Sequence, residues 1–414
     1  MGIECVESER EALLEFKRGI RVDRCGLLDS WGVNPYCCHW HGIQCHDHSG
    51  QVIALRLPTP ESYYDNHNDG SCLEGTLGVS LLGSKHLKYL DLSYNRFRGH
   101  IPKFIGSLSK LEHLDLSNIG STGIVPHEIG NLSRLISLEL NCDFSSSNMR
   151  VESLRWLSQL RLLRVVDLSG IDLSVATSSW LSIVKNLPFL HILRLNNCNL
   201  SVKLSSSLSY INSSTILDIV SLSGNNLNDT SIFEWLSHLG GVATNLVKLA
   251  VSNNQQLFGT NFQQTGHAIN FLDSLCSLQF LDLYYTGLNY DFSDIIQSLS
   301  NCSHKSLVSL NLMGNQVWGS ITDNLGNLSN LRELIVDSNH LNGTISLAAL
   351  RGFPMLEMLS LQSNSIKGVL TGAHLSNLPK LSTLRLDDNT ELVVNISGNW
   401  VPPFQLDELS LTSC

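Results

Sequence analysis

From Leu87 onward the chain repeats one hydrophobic phrase. Residues 87–110 read LKYLDLSYNRFRGHIPKFIGSLSK, and residues 111–134 read LEHLDLSNIGSTGIVPHEIGNLSR. Both open on L-x-x-L-x-L and reach G-x-(I/V)-P in the same frame. The opening recurs from Leu135, Leu163, Leu190, Leu217, Leu246, Leu278, Leu307, Leu331, Leu356, Leu381 and Leu406, and VIALRL from Val52 precedes them all, which makes fourteen units. The second and third apolar residues of each phrase are two apart, so on a strand they share one face and the residue between them points the other way. A strand this short cannot bury its own leucines. Stacked units can, and their strands then form one parallel sheet over a shared core. The pattern predicts an α/β solenoid of the leucine-rich-repeat type, a superhelix with a parallel concave β-sheet over residues 52–414 and a separate N-terminal cap over residues 1–51.

The position after each strand is asparagine at Asn95, Asn225, Asn254, Asn315, Asn339, Asn364 and Asn389. A buried amide there is expected to bond backbone groups of adjacent coils. Cys198 and Cys414 occupy the same position as small thiols, whereas Ile119, Asp143, Ile171 and Thr286 interrupt the ladder, so residues 135–306 form the less regular part. In the cap, SEREALLEFKRGI predicts a helix opened by a Ser8/Glu11 capping box, with Leu13, Phe16 and Ile20 on one face and Gly19 near its end.

Composition narrows the function. A net charge of −10 argues against nucleic acid or an anionic membrane as partner. No apolar run approaches the ~18 residues of a membrane helix, and MGIECVESER has no apolar signal core. The chain is therefore expected to be cytosolic or to lack its targeting and anchoring parts. Enzyme motifs such as H-E-x-x-H, G-x-S-x-G or a P-loop are absent, and no cofactor is expected.

Six of the eleven cysteines lie in the first 72 residues. The run CCHWHGIQCHDH, residues 37–48, has no C-x-x-C pair, so its four histidines are read as solvated loop residues rather than zinc ligands. The order Cys5, helix, Trp31, Cys37-Cys38, Trp40, Gly42, Cys45 resembles the N-terminal cap of plant extracellular leucine-rich-repeat proteins. The phrases SLCSLQFLDL, NCSHKSLVSLNL, GVLTGAHLSNL and NISGNWVPPFQLDELSLTSC, with G-x-I-P after the strands, are similar to the ectodomains of plant receptor-like proteins of the xylanase-elicitor-receptor and disease-resistance type. That resemblance implies disulfides Cys5–Cys37 and Cys38–Cys45. It also implies an extracellular peptide, protein or glycan ligand, adaptor and co-receptor kinases as partners, and a parent protein at the outer face of the plasma membrane. Cys276 and Cys302 precede the strands of adjacent coils, where a bridge is sterically reasonable, and Cys25 with Cys72 is a further candidate pair.

Outward strand positions are where a ligand would be read. One lane carries Asp91, Asp115, Glu139 and Asp167, either a docking strip for a basic partner or simply the common L-D-L text of the repeat. A second group, Lys248, Phe280, Asp282, Tyr284 and Asn311 with Tyr285, reads as an aromatic hot spot or as lateral packing. N-x-S/T sequons stand at Asn131, Asn199, Asn212, Asn228, Asn301, Asn327, Asn342 and Asn395, against roughly six expected by chance. A secreted enzyme inhibitor of the polygalacturonase-inhibiting type and a truncated, non-functional product are the competing readings. The last layer, Leu406, Leu409 and Leu411, is expected to be bare and prone to association.

Overall fold

The computed structural model describes residues 5–60, 70–142, 148–177, 179–201, 217–237, 245–259, 269–303, 306–321 and 323–413. It divides into two compact units, 1–200 and 201–414. The unit 1–200 stacks six repeat strands in parallel: Val52–Arg56, Tyr89–Asp91, His113–Asp115, Ser137–Glu139, Val165–Asp167 and Ile192–Arg194. The unit 201–414 stacks eight: Ile219–Ser221, Lys248–Ala250, Phe280–Asp282, Ser309–Asn311, Glu333–Ile335, Met358–Ser360, Thr383–Arg385 and Glu408–Ser410. All fourteen strands expected from the leucine phrase are present.

The register is set by the leucines. Leu90 faces Leu114, which faces Leu138, and each is at most 1% exposed. In the second unit Leu310, Leu334 and Leu359 face one another in the same way, each at most 2% exposed. A one-residue slip would turn each inward leucine to water, so burial fixes the pairing. At the last strand Leu409 is 55% exposed, while Leu406 and Leu411 are half-buried.

Each coil must leave its strand through a sharp turn, and the residue before the ladder position takes positive φ to do so. Asn118, Asn197, Asn253, Ser338, Ser363 and Asp388 all lie between 50° and 58°. The ladder amide then closes the turn. Asn339 donates to the carbonyls of Leu312 (2.9 Å) and Val336 (3.0 Å) and accepts from the Val317 amide at 3.0 Å. Asn95, Asn254, Asn315, Asn364 and Asn389 make the same double donation. Each one stitches its own coil to the one before it. Cys198 is fully buried and its thiol donates to the Leu168 carbonyl, in keeping with the small-thiol reading. Thr286 and Asn315 share the ladder bond at their coil: the Thr286 hydroxyl donates to the Leu283 carbonyl. Ile119 has no amide, and its backbone carbonyl accepts from Phe97 N instead, at 2.7 Å. Asp143 and Cys414 lie outside the described residues.

The longer periods of the middle region arise on the outer side. Most regular coils return through a five-residue 3-10 turn, such as Lys103–Ser107. Three coils of the middle region use helices, Trp180–Val184, Ser231–Ser237 and the eleven-residue Phe292–Cys302, while Arg155–Gln159 and Asn270–Ser274 keep the 3-10 turn.

At the front, helix Glu7–Arg18 covers the first coils. Its start differs from the capping-box expectation. Val6 is the N-cap and no side chain caps the turn, because the helix begins early enough to place Ser8 inside it. Glu7 and Glu9 in the first turn suit the positive end of the helix dipole. Gly19 ends the helix as expected, but Ile20 lies beyond it, in strand Ile20–Asp23. Leu13 and Phe16 are buried, the Phe16 ring lies against Trp31 and Phe97, and Trp31 stacks on Trp40 at 5.3 Å. Glu9 is only 3% exposed, and its carboxylate accepts from the Val52 amide at 2.7 Å. Antiparallel strand Ile43–Cys45 pairs with Val52–Arg56 and closes the free edge of the first repeat strand.

Replacing Asn339 with leucine orphans the Val317 amide, while the Leu312 carbonyl keeps its second donor, Asn315 Nδ2. At about 1–3 kcal/mol for one unsatisfied buried group, it should destabilise the unit 201–414 by roughly that amount. Urea unfolding followed by circular dichroism reads this directly, and an unchanged midpoint would refute the structural role of the amide.

Candidate ligand-binding face

The first lane is brought together as the repeat frame requires. Arg56, Asp91, Asp115, Glu139, Asp167 and Arg194 are consecutive register partners across six strands. Four acids thus stand side by side, bracketed by two arginines. The aspartates also have a local task. Oδ1 of Asp91, Asp115 and Asp167 accepts the backbone amide of Ser93, Ser117 and Ser169 at 2.9–3.0 Å. This accounts for much of the recurrence of L-D-L-S: the carboxylate holds the turn that follows the strand.

The turn bond does not neutralise charge. Arg194 approaches Asp167 at 4.0 Å. Among the described residues, Asp91, Asp115 and Glu139 form no ion pair. Burial, aided by repulsion from Asp91 and Glu139, pushes the Asp115 carboxyl up to about 6, against the lowering effect of its Ser117 hydrogen bonds.

Beside the acids runs a lane that the sequence reading did not single out. The Arg56 guanidinium lies 4.0 Å over the Tyr89 ring, and Tyr89 stacks on His113 at 4.9 Å. Burial lowers the His113 pKa, which favours a neutral ring. The available signal was positional: both residues stand two before the lane aspartate of their coil.

The second group is also assembled. Lys248, Phe280 and Ser309 are register partners, as are Ala250, Asp282 and Asn311. Asp282 and Asn311 again hold the following turns, accepting from Tyr284 N and Met313 N at 3.1 Å. Phe280 is 39% and Tyr285 42% exposed. Tyr285 occupies the positive-φ position, at 54°, as Tyr94 does at 58°, where most other coils place asparagine, serine or glycine. A bulky residue is rarely found in that conformation. Its ring and that of Tyr284, 5.8 Å apart, lie against Gly314, where a Cβ would come within 2.9 Å of Tyr285.

In the cap, the sulfurs of Cys5, Cys37 and Cys38 lie within 4.8 Å of one another. Disulfides Cys5–Cys37 and Cys38–Cys45 engage all three, with Cα separations of 5.6 and 5.5 Å. Cys25–Cys72 and Cys276–Cys302 are bridged as well, at 5.2 and 4.6 Å. His46 contacts Ser49 at 3.2 Å in an exposed turn.

Family models place this geometry. Residues 6–46 match the leucine rich repeat N-terminal domain, and residues 86–108 and 110–132 match the Leucine Rich Repeat. Receptor-like protein EIX2 of Solanum lycopersicum is 32% identical over 390 residues, which is 82% of this chain and 34% of that protein. Receptor-like protein EIX1 of the same organism is 31% identical, with the same two shares. The chain is a leucine-rich-repeat relative of the plant receptor-like proteins. It spans about a third of the length of these two relatives. Among solved structures, the PEPR1–AtPEP1 complex matches with a TM-score of 0.64 and 26% identity, over 95% of this chain and 52% of that one. A TDR receptor matches with a TM-score of 0.61 and 24% identity, over 88% and 56%, a likeness of fold.

In this receptor-like chain, Asn131, Asn199, Asn228, Asn301, Asn327, Asn342 and Asn395 are all exposed, and none is on a repeat strand of the two parallel ladders. Asn212 lies outside the described residues. Among the described residues no helix is long and apolar enough to cross a membrane.

The raised Asp115 value has a definite sign. The unfolded carboxyl titrates near 3.8 and the folded one near 6, so between these values the folded state holds more protons. Stability contributed here is present below about pH 4 and is lost as pH rises through 6. Asp115→Asn keeps the acceptor for Ser117 N and removes the charge. Its melting temperature should therefore exceed the wild type at pH 7.5 and converge with it near pH 4; a constant offset at both pH values would contradict the assignment.

Proposed function

We propose that this chain is the ligand-recognition part of a plant cell-surface receptor-like protein acting in defence or development. It binds an extracellular peptide, protein or glycan elicitor on the repeat strands and acts with adaptor and co-receptor kinases, without enzymatic activity of its own. The observation that carries this reading is the lane Asp91–Asp115–Glu139. Three carboxylates stand in register beside the Tyr89–His113 stack and, among the described residues, form no ion pair. Like charges on adjacent strands repel, and a cationic partner would relieve that repulsion. A basic segment of a peptide or protein, its aliphatic stems lying on the aromatic lane, suits this surface best. The PEPR1 structure, solved with AtPEP1, supports a peptide as the ligand class.

The Phe280–Tyr284–Tyr285 cluster is a second anchor in this reading, with Lys248 and Asp282 as its polar rim. Exposed aromatics on a rigid strand surface contribute most of the binding energy in many interfaces. A secreted enzyme inhibitor would use the same fold but would be recognised by inhibition of a cell-wall hydrolase.

The test is a binding series on the secreted chain. Basic, neutral and acidic peptide pools are measured by biolayer interferometry at two salt concentrations. The basic pool should bind most tightly and weaken with salt. Asp91→Asn, Asp115→Asn and Glu139→Gln combined should cost about tenfold, since each exposed charge contact is worth roughly 0.2–1 kcal/mol. Equal binding of the three pools, or potent inhibition of a polygalacturonase, would overturn the proposal.

A further inference from the structure

Unit 201–414 carries a second parallel sheet, made of Trp318–Ser320, His340–Gly343, Ser365–Thr371 and Glu391–Asn395. Alternation along these strands buries Leu341, Ile366, Leu370 and Leu392. The outward face of its last pair is read from the register: Lys367 stands beside Glu391, Val369 beside Val393, and Thr371 beside Asn395. The first pair is complementary in charge. The second is bare: Val369 is 53% and Val393 55% exposed, and Ile396 just beyond is 38% exposed. Adjacent uncovered β-branched residues on a strand surface favour association with other chains.

Asn395 opens the sequon Asn395-Ile396-Ser397 and is itself exposed. It stands two residues from Val393 on the same outward face, about 7 Å along the strand. A group attached to its amide nitrogen would lie over the valine pair. Asn327 provides the contrast. It opens the sequon Asn327-Leu328-Ser329 at the end of the outer turn Asp323–Asn327, whose other exposed residues are the polar Asp323 and Asn324.

We propose that Asn395 carries an N-linked glycan whose first sugar covers the Val369–Val393 pair. The proposal rests on the reading that the chain is made in the secretory pathway. The donor is an oligosaccharide linked through N-acetylglucosamine to a lipid pyrophosphate. The Asn395 amide nitrogen attacks the anomeric carbon of that sugar. A nitrogen–carbon bond forms, the bond from that carbon to the pyrophosphate oxygen breaks, and the amide proton passes to a carboxylate base of the transferase. The lipid pyrophosphate leaves, and nothing is oxidised or reduced. The C–H face of the attached ring rests on the valine methyls, while its hydroxyls and acetamido group stay in water. Removing this sugar exposes an apolar patch; removing one at Asn327 exposes a polar turn.

The experiment is to express residues 1–414 behind a secretion signal in a plant cell line. Occupancy is mapped by mass spectrometry before and after peptide-N-glycosidase treatment. Monomer content is read by size-exclusion chromatography and exposed apolar surface by ANS fluorescence. We expect Asn395 to be occupied. Asn395→Gln should lose monomer and gain fluorescence, Asn327→Gln should change neither, and adding Val369→Thr with Val393→Thr to the Asn395→Gln chain should restore the monomer. A bare Asn395 in a chain glycosylated at Asn131 or Asn327 overturns the proposal while leaving the receptor reading intact. Identical behaviour of the two Gln variants overturns the covering role. A secreted chain with every sequon bare overturns the proposal and removes the sequons as support for a secretory origin.

Discussion

The burial of a strand turn is the constraint on which this protein depends. Each coil drives leucines inward from a strand of three to five residues and from the turn that follows it, and the chain must then turn back within the core. That leaves backbone amides and carbonyls in a place water does not reach, where an unpaired group is costly. The ladder asparagine resolves the conflict by presenting two donors and an acceptor at the one point where two coils meet. Apolar packing supplies the drive to stack. The amide makes a single stacking register compatible with a satisfied backbone.

The same constraint shapes the proposed ligand face. The aspartates of L-D-L-S are fixed by the turn that follows them, so their charge is displayed in a regular row as a by-product of backbone closure. Function can then be written by small departures from the regular text. Neighbouring coils place Tyr89 and His113 two residues before that aspartate, and Tyr285, like Tyr94, puts a bulky ring in a backbone conformation that most other coils give to small or amide side chains. The repeat thus separates a scaffold, which tolerates little change, from outward positions that can vary without disturbing it.

Much of the architecture was legible because periodicity is a local signal. The fourteen strands, the asparagine ladder and the end of the cap helix at Gly19 follow from spacing and residue type alone. The cap pairing Cys5–Cys37 and Cys38–Cys45 came through resemblance, and the bridge Cys276–Cys302 from coil position. What spacing could not give was the start of the helix, where Ser8 and Glu11 fit a capping box that the observed Val6 N-cap displaces. Nor could it give contacts between distant residues. Glu9 reaching the Val52 amide and Arg56 lying over Tyr89 join positions far apart in sequence, and no local pattern marks them. The two acidic and aromatic groups were legible as lanes; the turn-holding role of their aspartates required atomic geometry.

The ladder amides have a direction, and it bears on biogenesis. Asn339 takes its inter-coil partners, the Leu312 carbonyl and the Val317 amide, from residues that precede it. Asn95, Asn254 and Asn364 likewise look back along the chain. During translation, each newly emerged coil finds a finished template waiting, and the disulfide-held N-terminal layer is the first such template. Assembly can therefore proceed as ordered accretion, one turn at a time, with no need to hold distant segments open until synthesis is complete.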